Sequence, residues 1–215
     1  MKETQIRVAL LFAGLVVAHL GVSLFLLAEL GSDPFNVMIH GLSRTLFAAL
    51  GWNVITHGNT HVAVSFLIIL VLLCTDRSYV KIGTLICMFC GGPIIDFFNL
   101  FLGGIISPDS SLAVRVLCNA LGCVILACGM SVVIKSDAGT GPNDLVGVVI
   151  SDKTGRKFSV VRMVVDGCFL LCGWILGGAV GIGTVICLFL VGPVAGFFLP
   201  RSGKMVDKIV ESTCR

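Results

Sequence analysis

The sequence predicts an all-α membrane protein. It predicts six transmembrane helices forming two inverted three-helix repeats, each with one short re-entrant or interfacial half-helix. Three observations lead there. The chain is 56% hydrophobic and 13% charged, its mean hydropathy is +1.04, and apolar runs of about 20 residues, long enough to cross a bilayer, recur along its length. The stretch IGTLICMFCGGPIIDFF at 82–98 returns as IGTVICLFLVGPVAGFF at 182–198, with ten of 17 positions identical. Such self-similarity in an apolar chain marks a duplicated membrane unit. The third observation is the placement of positive charge, which sets the number of crossings in each unit.

The apolar runs place spans at 8–28, 54–75, 82–105, 112–134, 158–177 and 181–200. The first is too long for a signal-peptide core and has no small-residue cleavage site after it, so it reads as a helix that stays. The second is weakest at its start, where His57, Asn59 and His61 interrupt the apolar run. Two shorter segments, 34–51 and 142–155, each open on proline, which is tolerated at the first position of a helix. Glycine-containing turns precede both, Gly31-Ser32-Asp33 and Gly139-Thr140-Gly141, with a polar residue available as cap. Both segments are too short or too polar to span about 30 Å of hydrocarbon, which makes them half-helices. The chain is then a single domain over 1–215, with one repeat at 6–106, the second at 111–200 and a short cytoplasmic tail at 201–215.

If the N-terminus is cytoplasmic and only the six long spans cross, 13 of the 15 Lys and Arg lie at cytoplasmic ends, including Arg77, Lys81, Lys135 and Arg162. Only Arg44 and Arg115 lie on the far side. Letting the half-helices cross would move Arg77, Lys81 and Lys135 outside, against the positive-inside rule. Three crossings is an odd number, so the second unit is upside-down relative to the first and both termini are cytoplasmic. The net charge of +3 serves topology and does not point to nucleic acid.

The candidate site is the pair of half-helix starts, Asp33, Pro34 and Asn36 in the first repeat and Pro142, Asn143 and Asp144 in the second. A helix N-terminus offers unsatisfied N–H groups and partial positive charge, and two such ends near the midplane make a polar solute site. Asp33 and Asp144 can cap their own helices; if both are ionised they shift the preference from anions toward a cation or proton-coupled solute. Asp96 and Asp166 lie within spans, where acids are costly and therefore functional candidates. Arg162 stands four residues before Asp166, so a pair on the helix surface is the plainer account of that acid. Gly92-Pro93 and Gly192-Pro193 free a backbone carbonyl in mid-helix, as hinges, pathway ligands or packing kinks. Gly83-Thr84 and Gly183-Thr184 open the same two spans and join this hinge or pathway group.

The ten cysteines fall mostly within apolar spans, where thiols pack as small apolar groups. Cys87 and Cys90 form a CxxC without its usual strand–helix context. His57 and His61 are four apart, and two ligands do not make a metal site; no metal and no cofactor is expected. His19 reads as a bonded interior residue and Glu29 as an interfacial acid. The pairs Gly91-Gly92, Gly103-Gly104 and Gly177-Gly178 allow close helix contact, including a homodimer face.

The pattern LGSDPFNVMIHGLS, its counterpart AGTGPNDLVGVVISDKTG, and the two IGT…GP helices resemble the YczE/YyaS/YitT-type bacterial membrane proteins over nearly the whole chain. The chain departs from that pattern in carrying Phe35 where a Trp-type aromatic is expected, and in its many cysteines. The resemblance implies a bacterial cytoplasmic membrane and says little about activity. The function expected from the residues is a small secondary transporter or channel for a small polar solute or ion, not an enzyme, with the bilayer and the solute as partners. No nucleotide-binding motif is present, so pumping would draw on an ion gradient. A membrane scaffold is the alternative from another class, and a membrane thiol enzyme using Cys87 and Cys90 is a third.

Overall fold

A computed structural model describes residues 2–52, 55–104 and 110–214. The expected starts and ends at 54, 105 and 106, and Arg215, lie outside them. The described residues form helices α1 (Lys2–Leu27), α2 (Pro34–Leu50), α3 (His57–Thr75), α4 (Ile82–Leu102), α5 (Leu112–Lys135), α6 (Pro142–Thr154), α7 (Phe158–Ile175) and α8 (Ile182–Cys214), with a 3-10 turn at Arg77–Tyr79. No strand occurs among the described residues. Six helices, α1, α3, α4, α5, α7 and α8, are long and apolar enough to cross a membrane. Large apolar side chains face outward from them: Leu100 is 81% exposed, Ile175 72% and Leu117 69%. Such a surface is stable in lipid and not in water, so this is a multi-pass membrane protein.

The half-helices form where the proline and cap signals place them. Asp33 caps α2 by accepting from the N–H groups of Phe35 at 3.1 Å and Asn36 at 3.2 Å, and α2 stops at left-handed Gly51. α6 differs from the expectation. Its cap residue is Gly141, without a side-chain cap bond, and the Thr140 hydroxyl is buried with no hydrogen-bond partner among the described residues. The last helix also differs. It does not end near 200 but continues through Pro200 to Cys214. Leu199, Ser202, Val206 and Val210 are all buried and recur at helical spacing, so an amphipathic stripe extends beyond the point where mean hydropathy falls.

α1 and α5 pack along each other at the centre. α4 lies against α1 and α8 against α5, while α2 packs on α7 and α6 packs on α3. The central crossing is built on glycine. A Cβ placed on Gly14 would stand 2.9 Å from Gly129 O, and one on Gly21 would stand 2.5 Å from Gly122 O. The partner positions thus rise along one helix as they fall along the other, so α1 and α5 are antiparallel. Small residues permit this close approach.

Contacts of the first half recur in the second. Arg7 donates to Ser136 O at 3.2 Å and Arg115 to Ala28 O at 2.8 Å. Ser23 donates to Ile95 O at 3.3 Å and Ser131 to Ala195 O at 3.4 Å. The N–H of Gly83 donates to Ala138 O at 2.9 Å and that of Gly183 to Leu30 O at 2.7 Å. Burial also follows the same order position by position along 81–91 and 181–191.

Candidate functional site

The turns before α2 and α6 are held from across the molecule. α8 clamps the first through Gly183 N and through Thr184, whose hydroxyl donates to Ser32 O at 2.7 Å. α4 clamps the second through Gly83 N, with Thr84 fully buried beside it. Each turn needs a glycine. Gly31 has φ +113° and Gly139 φ +129°, and an added Cβ would lie 2.6 Å from Thr184 Oγ1 and 2.5 Å from Thr84 N respectively. Gly83, Thr84, Gly183 and Thr184 therefore brace the half-helix starts.

Those starts meet at a cavity of about 740 Å³, within the size range of small-molecule sites. Asp33, Pro34, Asn36, Pro142, Asn143, Asp144 and Asp166 all line it. Gly92 also lines it, whereas Pro93, Gly192 and Pro193 do not. α4 and α8 remain continuous helices through both prolines. A Cβ on Gly192 would stand 2.8 Å from Ser159 O, so that glycine serves the contact between α7 and α8. Asp96 is exposed on α4 and does not line the cavity.

Arg162 organises one wall. The sequence reading placed it among solvated cytoplasmic charges and made its pair with Asp166 a surface feature. Instead Arg162 is 5% exposed and Asp166 2%. The guanidinium donates Nε to Asp166 Oδ2 at 2.8 Å and Nη1 to Asp144 Oδ1 at 2.5 Å. One cation thus links two carboxylates across α6 and α7, a geometry suited to the planar fork of arginine. Asp166 Oδ1 has no hydrogen-bond partner among the described residues. The spacing of Arg162 and Asp166 was visible in the sequence, but the link to Asp144 needs α6 packed on α7.

The lining also carries imidazoles. His57 and His61 lie in the first turns of α3, and both line the cavity with His40 and His19. His57 Nε2 donates to Asn36 Oδ1 at 3.3 Å, and Asn36 Nδ2 donates to Asp33. Phe35 meets His61 edge-on at 5.4 Å between ring centres. His19 Nδ1 donates to Leu15 O at 2.8 Å, the bonded interior role expected of it. Gly91 leaves room for the His19 ring, since an added Cβ would stand 2.7 Å from its Nε2. The remaining lining is mainly apolar, from Leu15, Val22, Phe25, Ile95, Leu126 and Met130. Among the described residues, no three His, Cys, Asp or Glu side chains are grouped to hold a metal ion.

Cys87 is 7% exposed and packs with Leu11, Leu15, Val133 and Ala138. Cys123 and Cys187 are buried with their sulfurs 2.9 Å apart.

No solved structure matches the chain. The chain is 30% identical over 210 residues to the uncharacterised membrane protein YczE of Bacillus subtilis, covering 97% of this chain and 93% of that protein. It is 28% identical over 188 residues to the uncharacterised protein YyaS of the same organism, covering 87% and 89% of the two chains. It is also 28% identical over 198 residues to an uncharacterised protein of Haemophilus influenzae, covering 89% and 83%. The model of DUF6198, a family of unknown function, matches residues 5–200, and this multi-pass membrane chain belongs to that family.

Proposed function

We propose that the protein is a small secondary transporter or channel for a small polar solute or ion. The observation that carries this reading is the cavity of about 740 Å³ on which the starts of both half-helices converge, with a buried Arg162–Asp144–Asp166 cluster in its wall. Buried charge within spanning helices is costly, and it characteristically marks solute and ion pathways.

We further propose that the two halves are inverted repeats, with both termini in the cytoplasm of a bacterial cell. The antiparallel crossing of α1 and α5, and the contacts that recur from half to half, support this arrangement. In such proteins a solute site lies between the repeats, and access alternates as one repeat rocks against the other. Asp33, Pro34, Asn36, Pro142, Asn143, Asp144 and Asp166 would form the site. The braced turns fix its half-helix ends, and the α1–α5 crossing is the contact across which rocking would occur.

The test is purified protein reconstituted in vesicles and screened for uptake of ions, amino acids and organic acids, with thermal stability followed in parallel. Wild type should take up at least one solute. The double variant Asp33→Asn, Asp144→Asn should fold, because Arg162 keeps Asp166, and should lose that uptake. Full uptake by the folded double variant refutes the site. Absence of binding and flux across the panel, together with a stable co-purifying protein, would point to a scaffold.

A further inference from the structure

We infer that the cavity takes an organic cation, a small ammonium-bearing molecule with an apolar body. This rests on the reading of the cavity as a solute site and names the class of solute. Three observations carry it.

The first is charge. Asp33, Asp144 and Asp166 line the cavity against one guanidinium. Arg162 already serves two carboxylates, and among the described residues the hydrogen bonds to Asp33 come from N–H groups of its own helix, including the Asn36 side chain. Where the lining imidazoles are neutral, the lining is short of positive charge.

The second is an unmet acceptor. Asp166 is 2% exposed, and its Oδ1 has no hydrogen-bond partner among the described residues. A buried carboxylate oxygen without a donor is costly, and a cationic donor arriving in the cavity would relieve that cost. An anion finds the reverse. Nε and Nη1 of Arg162 already donate to Asp166 and Asp144, and the first N–H groups of α2 bond Asp33. The field at that helix end is therefore already answered by the chain's own carboxylates.

The third is size and lining. About 740 Å³ far exceeds a bare ion, and the apolar side chains of Val22, Phe25, Leu126 and Met130 offer no ligands for one. A dehydrated metal ion needs several oxygen or nitrogen ligands. The same walls suit an apolar body that loses water on entry.

The experiment uses full-length protein in detergent at pH 8, where an ordinary imidazole is neutral. Three probes of similar size are titrated by thermal shift: benzylammonium, benzenesulfonate and benzyl alcohol. Sodium and potassium chloride serve as ionic controls. Benzylammonium alone should raise the melting temperature of wild type. Asp33→Asn and Asp166→Asn should each weaken its apparent affinity by about tenfold or more. Asn caps helices as well as Asp does, so Asp33→Asn keeps the inference testable if Asp166→Asn fails to fold. Stabilisation by benzenesulfonate and not by the cation would overturn the charge assignment while leaving a solute site. Equal stabilisation of wild type and Asp33→Asn by the cation would mean apolar adsorption and would also overturn it. No effect of any probe, with vesicle uptake of some other solute, would overturn the organic-cation class alone. No effect and no uptake of any solute would remove the transport reading with it.

Discussion

Replacing Arg162 by glutamine tests the charge network most directly. The guanidinium side chain is 6% exposed, with Asp166 at 2% and Asp144 at 18%, so solvent does little to screen either pair. Removing one partner of a buried ion pair costs about 3–5 kcal/mol, because the remaining charge is left uncompensated. Here two carboxylates on adjacent helices are left facing each other. For a chain of this size each kcal/mol corresponds to about 2–4 °C in melting temperature, so Arg162→Gln should melt about 6–20 °C below wild type. Neutralising one acid as well, in Arg162→Gln with Asp166→Asn, should recover a large part of the loss. Asp166→Asn alone should cost less than Arg162→Gln, since Arg162 keeps Asp144. The assay is a melt in detergent followed by a thiol-reactive fluorogenic dye, because Cys87, Cys123 and Cys187 are buried in the fold and become reactive on unfolding. An Arg162→Gln melt within about 2 °C of wild type, or a double variant no more stable than Arg162→Gln, would refute the view that this guanidinium holds two buried acids.

The remaining predictions use simpler perturbations. Gly31→Ala and Gly139→Ala combine positive φ with a close neighbour and should each cost about 2 kcal/mol or more. Gly51→Ala, at φ +65° with nothing within 4 Å, should cost about 1 kcal/mol; equal losses at all three would mean that α4 and α8 do not brace the turns. Gly21→Ala and Gly122→Ala should each destabilise by about 1–3 kcal/mol through the α1–α5 crossing. Gly92→Ala meets open space and should be neutral or stabilising; the opposite ranking in a melt would refute the crossing. Outside the spans, Asp76 accepts from Ser78 Oγ at 2.7 Å and Ser78 N at 3.2 Å and faces Lys153 Nζ at 3.3 Å. Those bonds hold its carboxyl below the ordinary 3.8. Its contribution is therefore fully present above pH 3.8 and fades as pH falls through the lower folded-state value. Wild type should lose its advantage over Asp76→Asn in that acid range, and a stability gap that widens there would refute the assignment.

Much of the architecture was legible in the residues because bilayer and helix constraints act locally. A span needs about 20 apolar residues, so six were countable. Proline at a first helical position with a glycine turn before it located α2 and α6, and Asp33 could be read as a cap. Two local readings failed. Hydropathy averages over a window and missed the buried stripe that continues α8 past Pro200. Gly141 replaced Thr140 at the α6 cap because the turn that delivers α6 is fixed by α4, not by its own hydroxyl.

The sequence by itself determined the element order, the duplicated Gly-Thr and Gly-Pro helices, and the residues at both half-helix starts. Those features follow from composition and spacing along a continuous chain. The tertiary structure alone decided which of the candidates meet. It brought Asp144 of α6 to Arg162 of α7, turned His19, His40, His57 and His61 toward one cavity, and left Asp96 outside. It also gave the glycines at 31, 83, 139 and 183 a bracing role. Asp144 and Arg162 meet through the packing of α6 on α7, while the other contacts join helices distant in the chain and follow from the packing of α1 on α5 and of each half-helix on the opposite half, which local spacing does not encode.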